Sequence, residues 1–300
     1  MNVIEINGLT KRYGEKKGVF DLNFSIKEGE VFGYLGPNGS GKTTTIRHLM
    51  GFLNPDRGRC TIAGLDCRKD SAKIQQDVGY LPGEIAFFDE MKGVEYLRFM
   101  SAMRGKKWAE RADEMLSRFD LDPSGRIKRM SKGMKQKLGL VAALMHDPAT
   151  LILDEPTSGL DPLMQATFVA LMREEKLRGK TILMSSHSFE EIEKTCDRVG
   201  ILKEGRMQAL VEVTALKTSR RRVYALHFDS EQDQAAFARQ GLDVIWQGPG
   251  QVHVALTGDL QPFFSALAGS RASGLDVVTQ RLEDVFISYY GGNNHDHSAV

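Results

Sequence analysis

A chain of 300 residues with 40 Lys+Arg against 39 Asp+Glu carries a net charge of +1. That balance supplies no global field for nucleic acid or an anionic membrane surface, so neither is expected as a partner on charge grounds. Hydrophobic residues at 41% and charged residues at 26% are the usage of a soluble globular protein, and the length suggests about two domains.

No apolar run approaches the roughly 20 residues that span a bilayer. The longest, Leu140 to Met145, sits inside an amphipathic helical pattern. Cys60, Cys67 and Cys196 form no CxxC pair and are odd in number, which points to free thiols in a reducing cytosol. The opening Met1-Asn2-Val3-Ile4-Glu5-Ile6 alternates like a strand and does not read as a signal peptide. Work at a membrane would require another chain to hold this one there.

In chain order, the first elements read as antiparallel strands. Ile4 and Ile6 alternate with Glu5 and Asn7; Phe20, Leu22, Phe24 and Ile26 alternate with Asp21, Asn23 and Ser25. Glu28-Gly29 turns the chain into an apolar strand, Val31 to Leu35, and a helical pattern opens near Thr43. A further short strand pair is expected around Arg59–Ile62 and Val78–Leu81. The middle is helical, with three apolar stripes assigned to packing: Tyr96, Phe99, Met100 and Met103; Trp108, Ala112, Met115, Leu116 and Phe119; Met134, Leu138, Val141, Ala142 and Met145. The α/β pattern then resumes. Leu151–Leu153 is a buried strand ending at Asp154. Asp161-Pro162 starts a helix that Gly179 ends. Thr181–Ser185 is a strand, Ser188 and Glu191 fit a capping box, and Val199–Leu202 is another strand.

A boundary falls near Thr214–Arg222, where Ser219-Arg220-Arg221-Arg222 looks like a solvated linker. Beyond it, strand 223–228, helix 231–240, strand 242–247, a turn at Gly248-Pro249-Gly250, strand 251–256, helix 259–269 and strand 275–279 give the ferredoxin-like order β-α-β-β-α-β. No catalytic constellation is visible there, which favours a regulatory or dimerisation module. A helix with Leu282, Val285, Phe286 and Tyr289 closes the unit. The polar tail from Gly291, with His295 and His297, reads as disordered.

The most informative stretch is Gly36-Pro37-Asn38-Gly39-Ser40-Gly41-Lys42-Thr43-Thr44. It fits the phosphate-loop pattern in the strand–loop–helix context that pattern requires. Glycines let backbone N–H groups close around phosphate oxygens, and the helix that follows points its positive end at them. Lys42 suits the β- and γ-phosphates, and the Thr43 hydroxyl suits Mg²⁺.

Further motifs follow in a fixed order. Leu151-Ile152-Leu153-Asp154-Glu155 is an apolar strand ending in two acids. Ser131-Lys132-Gly133-Met134-Lys135-Gln136 opens a helix before it. Ser158-Gly159-Leu160-Asp161 and His187 come after it. Together with the phosphate loop they resemble the nucleotide-binding subunit of an ABC transporter over residues 3–210. That resemblance implies an α/β P-loop NTPase fold of ABC type, with an antiparallel β subdomain and a helical subdomain. With the C-terminal α+β unit, the domains are expected at 1–215 and 222–290, followed by the tail at 291–300.

The resemblance also implies roles. Asp154 holds Mg²⁺, directly or through water, and Glu155 orients and deprotonates the attacking water. His187 matches the switch histidine that contacts the γ-phosphate, and Tyr13 the aromatic that stacks on adenine. Ser131 and Gly133 belong to the signature that caps ATP bound on an opposite subunit. Asp161 belongs to the D-loop across that seam. The signature departs from the usual Leu-Ser-Gly-Gly-Gln, with Lys132 in place of the first glycine and Met134 in place of the glutamine. Gly83 stands where the family has its Q-loop glutamine, and Glu84 is the candidate replacement ligand for Mg²⁺. Phe87, Phe88 and Met91 suit either a groove for a helix of a membrane partner or the core. Leu282-Glu283-Asp284-Val285-Phe286 resembles a segment of exporter ATPase subunits whose permease is a separate chain.

The expectation is thus an ATP-binding and ATP-hydrolysing subunit, with Mg²⁺, at the cytoplasmic face of the membrane. Its partners would be a transmembrane permease and a second nucleotide-binding subunit, identical or different, with no nucleic acid. The alternatives are a soluble ABC-type ATPase acting on ribosomes or DNA, and a module that uses ATP only as a dimer switch. Glu155 and His187 both being present argue against the switch.

Overall fold

The computed structural model describes residues 1–105, 110–218, 222–256 and 260–278. The chain divides into two compact units, Met1–Val213 and a second that begins at Thr214.

The first unit opens with the antiparallel hairpin β1 (Asn2–Arg12) and β2 (Gly18–Lys27). Strict alternation would bury Phe20. A bulge in β2 intervenes: Leu9 faces Leu22 but Lys11 faces Val19, and Asp21 takes a φ of 52°. The extra residue flips the pattern. Val19 is therefore buried and Phe20 half-buried.

Strand β3 (Val31–Leu35) is buried along its whole length and leads through the phosphate loop into α1 (Lys42–Leu49). Strands β4 (Arg57–Ile62) and β5 (Leu65–Asp66) extend the hairpin to a four-stranded sheet in the order β2-β1-β4-β5. Helix α2 (Ser71–Asp77) then leads to β6 (Val78–Leu81). The expected pairing of Arg59–Ile62 with Val78–Leu81 does not occur. β4 buries alternate residues, Cys60 and Ile62, as a half-solvated antiparallel strand does. Three of the four β6 residues are buried, which suits the interior of a parallel sheet.

The helical segment comprises α3 (Gly93–Met103), α4 (Glu110–Arg118) and α5 (Lys132–Leu144). Two of its expected stripes are mostly core: Ala112, Met115 and Phe119, and Leu138, Val141, Ala142 and Met145 are buried, while Leu116 and Met134 are half-buried. Trp108 lies outside the described residues. The α3 stripe is only partly core. Its inward face is Tyr96, Leu97 and Ser101, while Phe99 and Met103 are exposed. Arg111 of α4 pairs with the buried Glu175, tying this segment to the next helix of the core.

After it come β7 (Thr150–Asp154), α6 (Pro162–Leu177), β8 (Thr181–Ser186), α7 (Phe189–Thr195), β9 (Arg198–Lys203) and β10 (Arg206–Glu212). The six-stranded sheet has the order β10-β9-β3-β8-β7-β6, parallel except for β10. One face, with Phe32, Tyr34, Ile152 and Leu183, packs on α1 and on the antiparallel sheet in a single core. Phe24 and Phe32 stack there with centroids 5.3 Å apart. Ser188 is the N-cap residue of α7, but its side chain makes no capping bond.

Helix α8 (Val213–Thr218) spans the boundary. The second unit holds β11 (Arg222–His227), α9 (Glu231–Ala238), β12 (Val244–Gly248), β13 (Gln251–Leu256), α10 (Gln261–Ala268) and β14 (Gly274–Val278). Its antiparallel sheet runs β12-β13-β11-β14, a β-α-β-β-α-β unit of ferredoxin-like order. Leu226, Val252, Val254, Phe237 and Phe263 form its core. Ser219 to Arg221, the helix with Leu282, Val285, Phe286 and Tyr289, and the tail with His295 and His297 lie outside the described residues.

Candidate active site

Strands β3, β8 and β7 run parallel and adjacent, with Leu35 opposite Ser186 and Asp154 opposite Ser185. Their carboxyl ends therefore bring three segments together: residues 36–44, His187 and Asp154-Glu155. Ligands in open α/β sheets bind in this region. Gly39 and Gly41 have φ of 81° and 107°, and a Cβ on Gly41 would sit 2.6 Å from Val19 Cγ1. Only glycine permits that backbone at that packing distance. The loop wraps the head of Lys42, whose Nζ donates to Gly36 O at 2.6 Å and Pro37 O at 3.3 Å. Thr43 and Thr44 form the first turn of α1. With Asn38, Ser40, Glu155 and Tyr13 these residues line a cleft of about 260 Å³. Tyr13 stands at its edge, 51% exposed, with ring surface free to stack.

Glu155 lies between two functional groups. Its Oε1 is 3.3 Å from Lys42 Nζ, and its Oε2 is 2.6 Å from His187 Nδ1. The residue adopts a φ of 50°, a left-handed backbone that costs a non-glycine residue about 1–2 kcal/mol. Hydrogen bonds from neighbouring elements hold it. Glu155 N–H donates to Ser185 Oγ at 3.0 Å, and Gln136 Nε2 donates to Glu155 O at 3.2 Å and Pro156 O at 2.9 Å.

Asp154 is fully buried. Its Oδ1 accepts the Ser185 hydroxyl, and its Oδ2 has no hydrogen-bond partner. A buried carboxylate oxygen without a partner is expensive unless a cation or water meets it. Gly83 lies against that oxygen: a Cβ there would come to 3.0 Å from it. A hard divalent cation with its water shell would suit that oxygen. Glu84 is exposed, and no hydrogen bond or ion pair of its side chain is found among the described residues.

Ser131, Gly133 and Asp161 form a second group that does not line this cleft. Ser131 caps α5 by accepting Met134 N–H at 3.2 Å, and Asp161 caps α6 by accepting Met164 N–H at 2.9 Å. A Cβ on Gly133 would fall 2.8 Å from Gly159 O, and the Lys132 methylenes lie against Gly159. The signature turn and the 158–161 turn are thus one packed surface. A third feature is an apolar groove of about 410 Å³ between α2, α3 and the segment after β6, lined by Phe52, Tyr80, Pro82, Ile85, Met100 and Met103 among others. Phe88, 57% exposed, packs edge-on against Phe99 beside it, while Phe87 packs edge-on against Tyr96.

Sequence reasoning missed the contacts of Gln136, Ser185 and Glu191. The signal for Gln136 was a polar residue inside a helix whose following residues are almost all buried. Glu191 carried the spacing of a capping box; instead its carboxylate accepts from Ser186 Oγ.

A glycine-rich loop around a lysine after β3, paired acids at the end of β7 two strands away and a histidine just after the strand between them define a P-loop ATPase cassette. The ABC transporter family model matches residues 19–158. The chain is 38% identical to the linearmycin resistance ATP-binding protein of Bacillus subtilis over 71% of its own length and 70% of that protein's. It is 33% identical to the bacitracin transport ATP-binding protein of Bacillus licheniformis over 97% and 98% of the two chains. A solved ATP-binding subunit of an ABC transporter superposes with a TM-score of 0.65 at 31% identity, covering 72% of this chain and 92% of that one. The chain belongs to the ATP-binding proteins of ABC transporters. Among its described residues, no helix is long and apolar enough to cross a membrane.

Proposed function

We propose that this protein hydrolyses ATP to drive a separately encoded membrane permease, working as an exporter from the cytoplasmic face of the membrane. The carrying observation is Glu155, held on strained backbone between Lys42 and His187. A carboxylate fixed there can align a water and take its proton. The loop N–H groups, the α1 N-terminus and Lys42 hold the β- and γ-phosphates. His187 steadies Glu155 and reaches toward the γ-phosphate, and Tyr13 stacks on the base. Mg²⁺, held by Thr43 and Asp154, would neutralise charge on the phosphates when bound.

Ser131, Gly133 and Asp161 supply a helix end and a turn that would cap ATP held by a second subunit. Two such subunits would close over two nucleotides and reopen on hydrolysis. The groove beside Phe88 and Met103 is an apolar surface suited to a helix of the permease. Export is supported by the resistance and antibiotic-transport roles in the names of the relatives. The near-neutral charge favours this reading over an ATPase acting on ribosomes or DNA.

The test is Glu155→Gln, which removes the base and leaves the phosphate cradle. We expect ATP binding to persist, turnover to fall by about 10²-fold or more, and the variant to run as an ATP-dependent dimer on gel filtration. Monomers only, with ATP bound, would sink the composite site. Recovery of ribosomes or DNA instead of a membrane protein in a pull-down from membranes would sink the permease.

A further inference from the structure

Glu191 is a carboxylate with no part in the steps above, and it is buried, 8% exposed on α7 one turn after His187. A glutamate leaves water only where polar partners replace it. Its Oε2 accepts the Ser186 hydroxyl at 2.6 Å, and the same Ser186 Oγ accepts the Ser188 N–H at 2.9 Å. Ser186 and Ser188 flank His187, so one carboxylate ties the backbone on both sides of the histidine. His187 in turn meets Glu155 Oε2. Glu191 is not among the residues lining the phosphate cleft; it lines a groove with Thr157, Gly159 and His187.

We propose that Glu191 is a positioning residue for hydrolysis: through Ser186 it fixes the loop that aims His187 at Glu155. This rests on the roles assigned above to Glu155 and His187. The charged and titratable groups around it are Glu155 after β7, His187 after β8, Glu190 and Lys194 on its own helix, Arg173 of α6, and Cys196 at the helix end. Burial is the largest influence and pushes the Glu191 carboxyl up to about 7, against hydrogen bonds from Ser186 and Thr157. Protonated or not, the group keeps an oxygen that can accept from Ser186. Glutamine keeps one as well, and alanine does not.

ATP turnover, ATP affinity and thermal unfolding are to be measured on the full-length chain for Glu191→Ala, Glu191→Gln, Ser186→Ala, His187→Ala and the double variant E191A/H187A, with Glu155→Gln in parallel. We expect E191A and S186A to lower kcat by about tenfold or more while the Kd for ATP stays within about twofold. E191Q should stay within about threefold of the unmodified chain, and E191A should add nothing to H187A. A near-normal kcat for E191A, a loss that multiplies with that of H187A, or an E191Q as impaired as E191A each overturns the proposal. If E191A does not fold, S186A decides by the same criteria. Loss of turnover in E155Q and H187A together with a normal E191A defeats this inference alone. Normal turnover in H187A defeats the role of the histidine, and this inference with it.

Discussion

At the carboxyl end of the six-stranded sheet, Asp154 is fully buried with one oxygen unpartnered, Glu155 sits at a φ of 50°, and Lys42 and Glu191 are ionisable groups largely out of water. The C-terminal sheet is built otherwise. Its buried polar side chain among the described residues is Gln234, whose amide donates to Gly248 O at 2.6 Å and Gln251 O at 3.0 Å. The non-glycine residues with positive φ among the described residues, Asp21, Ala63, Asp120, Asp147, Glu155 and Glu204, all lie in the first unit. Both regions are sheets covered by helices, yet among the described residues the strained non-glycine backbone and the buried carboxylate oxygens without a hydrogen-bond partner lie in the first, and the second has His253 Nε2 buried without a hydrogen-bond partner. Such features persist where surrounding packing over-determines them, and they concentrate where chemistry is done.

Perturbations should therefore affect chemistry in one region and stability in the other. Beyond Glu155→Gln, the largest effect expected is from Lys42→Ala, which removes charge-assisted bonds to phosphate. ATP affinity should fall by about 10–100-fold, and an unchanged Kd in a binding titration would take Lys42 out of the site. Leu226→Ala, at a fully buried position of the C-terminal core, should cost that unit about 2–5 kcal/mol. Nucleotide affinity should not change with it; if it fell, the two units would not be energetically separate.

The Glu191 carboxyl provides a pH test. Its folded pKa is raised from 4.5 to about 7. The folded state therefore holds the proton more tightly, a stabilisation present below about 4.5 that is lost as pH rises through 7. Glu191→Gln cannot lose it. Across that window the variant should gain stability relative to the unmodified chain by on the order of 3 kcal/mol. Parallel pH–stability curves for the two would place the carboxylate in water. The smallest effect expected is from Gly83→Ala, whose methyl would crowd Asp154 Oδ2. The Mg²⁺ concentration for half-maximal turnover should rise by about threefold, and an unchanged requirement would separate Gly83 from the metal side of Asp154.

The local motifs were legible because their chemistry is local. A loop that must close on phosphate needs glycines and a lysine at set spacing, and the residues from Gly36 to Thr44 hold that arrangement wherever they are read. The buried parallel strands, β7 above all, announced themselves as unbroken apolar runs. The ferredoxin-like order of the second unit could be read from periodicity, and its strand order agrees.

Elsewhere the sequence misled, each time for want of a partner distant along the chain. Phe20 and Val19 trade faces because of a bulge that depends on how β1 pairs with β2. β4 and β6 part into different sheets because one buries a single face and the other is enclosed. Phe99 and Met103 have the spacing of core residues, but whether anything covers them is a matter of tertiary packing.

By itself, the order of residues determined which side chains could bind a triphosphate and which strands had to be buried, since short-range sterics and hydrophobicity decide both. Only the folded chain decided that Gln136 would brace Glu155 and that Glu191 would be bonded to Ser186. A hydrogen bond between residues on separate elements exists only once packing has brought those elements together and taken the competing water away.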